Sequence, residues 1–191
     1  MIQTAAGHVP ATTLVLTTKQ RSRLKETPPR RTAPFNQEPG FYEPAGLWFY
    51  GNIRLLGAEL SYVRRTLGSL DSSPRELDEI EREAETLVLQ NRVLVCGIHN
   101  IPQMRAAIVP LRWGCPRIVV LSGGFQFHLG ENLDQEPFLS ATLWRDRWDP
   151  RTDLAVSRRA PKKLPTFGRY NPTVDKLIVR IAEKRELGIL A

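Results

Sequence analysis

Two short runs in the chain are apolar without alternation, Val93-Leu94-Val95-Cys96 and Ile118-Val119-Val120-Leu121. Unbroken runs of this length suit strands buried on both faces, as in a parallel sheet packed between helices. Each run leads into a turn, Gly97-Ile98-His99-Asn100-Ile101-Pro102 after the first and Ser122-Gly123-Gly124 after the second. Upstream, Leu77, Ile80, Ala84, Leu87 and Val88 recur on one helical face with Glu and Arg opposite. Ser73-Pro74-Arg75-Glu76 opens that segment with the parts of a capping box: an N-cap serine, a first-turn proline, and a glutamate three residues after the serine. The pattern predicts a helix from Pro74 to about Asn91. A second helix is predicted from Pro102 to Trp113, kinked or shortened by Pro110 and ended by Gly114.

Weaker patterns flank this centre. Leu47-Trp48-Phe49-Tyr50 reads as an aromatic strand closed by Gly51-Asn52, and Glu59 to Val63 as another before Arg64-Arg65. Phe138 to Trp148 is apolar and aromatic without a clean period, and Ala155 to Pro165 reads as a basic, proline-containing loop. Thr173 to Leu187 reads as a terminal amphipathic helix with Val174, Leu177, Ile178 and Ile181 on one side. The first 45 residues, broken by Pro28, Pro29, Pro34, Pro39 and Pro44, predict an extended and partly disordered arm. Strands alternating with helices across short turns predict an α/β chain, a Rossmann-like, doubly wound and mainly parallel sheet over residues 46–191 behind an arm of residues 1–45.

With 191 residues the chain can bury one core. It has neither a secretory leader pattern nor an apolar stretch near the roughly 20 residues that span a bilayer. A cytoplasmic protein without a membrane partner is expected. The formal net charge of +7 favours polyanionic partners. Its distribution sharpens that: Lys19 to Arg31 and Arg145 to Arg169 are rich in Lys and Arg, whereas the Pro74–Asn91 helix is rich in Glu and Asp. Cys96 and Cys115 match no zinc spacing and read as reduced structural thiols, so no metal and no cofactor are expected.

In an open parallel sheet, ligands bind beyond the carboxyl ends of the strands. The candidate ligand-binding residues are therefore Gly97, His99 and Asn100 after the first run, and Ser122, Gly123 and Gly124 after the second. Glycine lets backbone amides approach a phosphate closely, although the same glycines also serve simple tight turns. Neither a Gly-x-Gly-x-x-Gly nor a Walker lysine motif occurs there. No neighbouring carboxylate or nucleophile in sequence completes a catalytic set with His99 or His128, which points away from an enzyme. Trp144 and Trp148, with the arginines around them, fit either base stacking or a C-terminal core.

The order of these pieces resembles the DNA-processing protein A family (DprA, also called Smf). Leu47 to Leu56 looks like the family's strand followed by x-Gly-Asn-x-x-Leu-Leu, and Tyr62-Val63-Arg64-Arg65 falls at its Val-Gly-Ser-Arg turn. Val95-Cys96-Gly97-Ile98 sits at its Val-Ser-Gly-Leu, Gly114 to Gly124 resembles its next strand and glycine turn, and Phe167-Gly168-Arg169-Tyr170-Asn171 is similar to its Phe-Pro-x-Arg-Asn-Arg segment. The resemblance covers about Leu47 to Ile181. It implies an extended Rossmann fold, single-stranded DNA held in a basic pocket, homodimerisation, and delivery of DNA to a recombinase partner. Two places differ: Val63-Arg64 replaces the family's Gly-Ser, and His99-Asn100-Ile101-Pro102-Gln103 replaces its Ala-Arg-Gly-Ile-Asp. The Pro-Gly-Gly-x-Gly-Thr motif of related nucleotide hydrolases is absent.

The first reading is thus a non-enzymatic protein that binds single-stranded DNA or another polyanion through Arg64, Arg65, Lys162, Lys163, Arg169 and Asn171, in DNA processing or recombination. The alternatives are a nucleotide- or phosphate-binding Rossmann-like sensor or enzyme, and a structural interaction module.

Overall fold

The computed structural model describes residues 36–68, 72–129, 149–165 and 171–184. The chain divides between Ala33 and Pro34, and all of these residues fall in the second unit. The expectations for residues 1–35, for Phe138 to Trp148 with its two tryptophans, and for Arg169 lie outside them.

Six strands form one sheet: β1 (Asn36–Tyr42), β2 (Leu47–Gly51), β3 (Leu60–Ser61), β4 (Val93–Gly97), β5 (Arg117–Leu121) and β6 (Leu154–Ser157). Their spatial order is β1-β2-β6-β5-β4-β3. Strands β3, β4, β5 and β6 are parallel neighbours, while β2 runs antiparallel to β6 and β1 antiparallel to β2. Val95 lies opposite Ile118 and Cys96 opposite Val119, so the two apolar runs pair side by side in the same direction.

Helices cover both faces, giving the Rossmann-like arrangement. On one face, Ile80, Ala84 and Val88 of α1 (Pro74–Leu89), Ala106, Ala107 and Val109 of α2 (Ile101–Arg112), and Phe125 and Leu129 of α3 (Phe125–Leu129) pack on Leu94, Cys96, Val119 and Leu121. On the other, Val174, Leu177, Ile178 and Ile181 of α4 (Pro172–Ala182) pack on Val93, Val95, Ile118 and Val120, together with Leu55 and Leu56 of a short 3-10 helix. Successive strand residues point to opposite faces, so an unbroken apolar run is what two covered faces require.

The local signals explain the ends. The Ser73 N–H donates to Glu76 Oε2 at 2.7 Å and the Glu76 N–H to Ser73 Oγ at 3.3 Å, closing the expected capping box; the Ser73 N–H and hydroxyl, both donating to Oε2, hold the Glu76 carboxyl below its ordinary pKa. Asn100 caps α2, its side chain accepting from the Gln103 N–H at 2.9 Å. Pro110 stands inside α2, which continues to Arg112, and Gly114 at φ 65° turns the chain out. Both cysteines are free; burial pushes the Cys96 thiol up to about 12, as befits a packed thiol.

Three segments differ from the sequence expectation. Leu154–Ser157 is not loop but the fully buried strand between β2 and β5. Its ends are polar because they meet buried partners: Asp153 lies 3.2 Å from the Arg117 guanidinium, and Ser157 Oγ donates to the Gly123 carbonyl at 2.8 Å. The sheet also begins before Leu47, since β1 forms the edge strand beside β2. Pro39 is tolerated there because an edge strand has one side free of ladder bonds. The strand expected over Glu59–Val63 contracts to Leu60–Ser61, and Val63 instead precedes a 3-10 turn at Arg64–Thr66.

Candidate functional site

Because β3, β4, β5 and β6 run in one direction, the segments that leave them share one edge of the sheet. These are Val63–Gly68, Ile98–Asn100, Ser122–Gly124 and Arg158–Pro165, joined by the first turn of α4. This is the edge where an open α/β sheet receives ligands.

The β4 exit is occupied by a polar knot. The Gly97 N–H donates to Gln103 Oε1 at 2.8 Å, and Gln103 Nε2 reaches the Thr66 carbonyl and Asp175 Oδ1, each at 3.4 Å. Asp175 Oδ2 accepts the Gly68 N–H at 2.9 Å, and His99 Nε2 lies 3.2 Å from Asp175 Oδ1. The two side chains are only 3% and 10% exposed. One carboxylate from α4 therefore fastens the exits of β3 and β4. A Cβ at Gly97 would sit 2.7 Å from His99 Nδ1, so the glycine makes room for that ring.

The β5 exit is also engaged. The Gly123 N–H donates to His128 Nε2 at 3.1 Å, which requires that nitrogen to be unprotonated. Burial agrees, holding the His128 pKa down to about 4. The Gly124 N–H donates to the Lys163 carbonyl at 2.6 Å and the Gln126 N–H to the Pro161 carbonyl at 3.0 Å. A Cβ on Gly124 would collide with the carbonyl oxygens of Ala160 and Pro161. Residues 158–165 thus form a strap seated on the glycine turn, and of the glycine amides expected to meet a phosphate, that of Gly124 meets a strap carbonyl and that of Gly123 meets His128. Lys162 and Lys163 point to solvent from the strap.

Open space lies alongside, between the strap's start and α4. A cleft of about 710 Å³ is lined by, among others, Leu67, Arg158, Asp175, Lys176, Val179 and Arg180, with Thr173 at its side. A smaller one of about 180 Å³ is lined by Leu121, Ser122, Arg158, Arg159, Asn171 and Thr173. The two adjoin at Arg158 and Thr173.

Of the residues singled out in the sequence, Ser122 and Asn171 line the smaller cleft; Asn171 also caps α4 through the Val174 N–H at 3.2 Å. Arg64 and Arg65 sit exposed after β3, with Arg65 held 2.5 Å from Glu79 and 3.8 Å from Glu83 of α1. Asp175, Arg158, Lys176 and Arg180 were not among the candidates. For the last two a signal existed, since they stand four apart on the polar face of the terminal helix.

No protein-family model matches the chain, and no curated protein matches its sequence. Two solved structures do match. The DNA-processing protein A of Helicobacter pylori, described for its single-stranded DNA binding mode, superposes with a TM-score of 0.56 at 15% identity over 77% of this chain. That of Streptococcus pneumoniae superposes with a TM-score of 0.53 at 18% identity over 74% of this chain. The chain has the DprA fold. It spans 66% of the Helicobacter DprA and 48% of the Streptococcus DprA, and at these identities the likeness to DprA is one of fold. Among the described residues, no helix is long and apolar enough to cross a membrane.

Proposed function

We propose that this protein binds single-stranded DNA along the carboxyl edge of its sheet, acting by binding rather than by catalysis. The observation that carries the proposal is the larger cleft. It joins apolar wall, Leu67 and Val179, to three cations, Arg158, Lys176 and Arg180, on the ligand edge of a DprA fold, and the one carboxylate in its lining, Asp175, is taken up by Gly68, Gln103 and His99. Apolar surface accepts a base and guanidinium or ammonium groups hold the phosphates, the combination that single-strand binders use. Lys162 and Lys163 on the strap and Arg64 on the β3 exit extend the positive surface for a longer strand. Both histidine side chains are buried, His128 with its Nε2 against the Gly123 amide and 3.4 Å from the Ser122 hydroxyl, and His99 against Asp175, so neither ring is open to a substrate, which favours a binding role.

Fluorescence anisotropy with a labelled oligothymidylate, titrated across salt, tests this. Phosphate contacts release counterions, so log affinity should fall linearly with log salt at a slope of about −0.7 for each phosphate held. Absence of binding at low salt removes the proposal. Homodimerisation and hand-over to a recombinase, implied by the DprA resemblance, belong to the same reading; light scattering with and without DNA tests the first, and co-sedimentation with a recombinase filament the second.

A further inference from the structure

The smaller cleft differs from the larger in shape and chemistry. Its floor is Leu121, Val174 and Leu177, exposed by only 2%, 4% and 2%. Around that apolar floor the lining residues are two arginines, Arg158 and Arg159, two hydroxyl residues, Ser122 and Thr173, and Asn171, with the Ser122 hydroxyl 3.4 Å from His128 Nε2. It adjoins the larger cleft at Arg158 and Thr173.

A phosphodiester inside a continuous strand carries one negative charge and two ester links, both of which must leave the pocket. In a pocket of about 180 Å³ closed below by that floor, both links have to leave together on the open side. A phosphate monoester has a single link and three free oxygens, with a charge between about −1.5 and −2 near neutral pH. Two arginines and two hydroxyls match that charge and that number of acceptors. The space beside it, about 710 Å³, lies within the usual range for a small-molecule site and takes the attached nucleoside.

We infer that the pocket formed by Ser122, Arg158, Arg159 and Thr173 binds a phosphate monoester, seated there as the terminal phosphate of a strand laid in the larger cleft or as a free mononucleotide. In its first form this rests on the single-stranded DNA reading; in its second it does not. The protein would hold a strand by its end, with the rest of the strand crossing Lys176 and Arg180.

The experiment uses the full chain and internally labelled oligothymidylates bearing a 5′-phosphate, a 3′-phosphate or hydroxyls at both ends, with a circular strand of the same composition. A phosphate at one end is expected to tighten binding about tenfold over the hydroxyl-ended strand. The circle should bind no better than the hydroxyl-ended strand. In Arg159→Ala, with its fold checked by circular dichroism, the ratio of phosphorylated to hydroxyl affinity should fall toward one. Equal affinities for every linear end overturn the terminal-phosphate form while leaving DNA binding intact. If none of the strands binds, the DNA reading has failed, and the pocket is judged by thermal shift. A melting temperature raised by thymidine monophosphate and not by thymidine upholds it, and no difference between them overturns it.

Discussion

The guanidinium of Arg65 lies 2.5 Å from the Glu79 carboxylate, and its Nε 3.8 Å from Glu83, so the acidic helix α1 engages the arginine that follows β3. The DprA resemblance sets Arg65 at the family's Val-Gly-Ser-Arg turn, but here a phosphate would have to compete with two carboxylates for it. Arg65→Ala is therefore expected to change single-stranded DNA affinity by no more than about twofold, whereas Arg158→Ala, in both clefts, should weaken it several-fold and lower the salt slope by about 0.7. Replacing Glu79 and Glu83 together by Gln should tighten binding by freeing Arg65. Anisotropy titrations at several salt concentrations decide between them. An Arg65→Ala loss as large as that of Arg158→Ala would move the interface to the β3 exit.

Asp175 is the buried acceptor for Gly68 and Gln103 and the carboxylate beside His99. Its removal leaves several buried polar groups without an acceptor at once. Asp175→Ala should cost about 2–4 kcal/mol of stability. Asp175→Asn keeps one acceptor oxygen and should cost less. Urea denaturation with an unchanged m-value gives the comparison. A loss under about 1 kcal/mol for the alanine variant would mean that water replaces the carboxylate.

Gly124 and Gly57 make a matched pair. A methyl at Gly124 meets the Ala160 and Pro161 carbonyls, which are backbone and cannot swing aside, whereas a methyl at Gly57 meets nothing within 4 Å. Gly124→Ala is expected to displace the strap and destabilise the protein by about 2 kcal/mol or more, while Gly57→Ala stays within about 0.5 kcal/mol of the parent. Limited proteolysis should cut the Gly124→Ala protein between 158 and 165 sooner than the parent. Equal cutting would show that the strap is not held by the glycine turn.

The centre of the fold was legible because its signals are local. β4 and β5 announce themselves as unbroken apolar runs, and α1 through a capping box that the structure closes bond for bond. β6 was not legible. Leu154-Ala155-Val156 is short, and its neighbours Asp153 and Ser157 look like solvent-facing residues until Arg117 and Gly123 are found beside them. The same holds for the site. Asp175 reads as an ordinary acidic residue in the first turn of a helix, yet its partners come from the β3 and β4 exits and from α2. The glycine turn was found correctly at the end of β5, but the strap whose carbonyl meets the Gly124 amide arrives from about forty residues further on, beyond any local pattern. Sequence pattern located the edge; only the packing of distant segments shows which part of it is open.

His128 gives the fold a pH dependence with a defined sign. Its Nε2 accepts the Gly123 N–H, and burial lowers its pKa from 6.5 to about 4. Between those values the unfolded chain binds a proton that the folded protein refuses, so stability present above pH 6.5 is lost as the pH falls toward 4. The loss over the whole window is on the order of 3 kcal/mol, and about 2 kcal/mol at pH 5. Asp153 acts in the opposite sense over part of that range, because burial raises its carboxyl from 3.8 to about 6 despite the Arg117 guanidinium beside it. The comparison with His128→Gln, whose amide oxygen can take the Gly123 N–H, cancels that contribution. Urea denaturation of both proteins at pH 7 and pH 5 should show the parent losing about 2 kcal/mol more than the variant between the two pH values. Parallel losses would mean that His128 is already exposed to protons in the folded state, and that the glycine turn does not depend on its neutral ring.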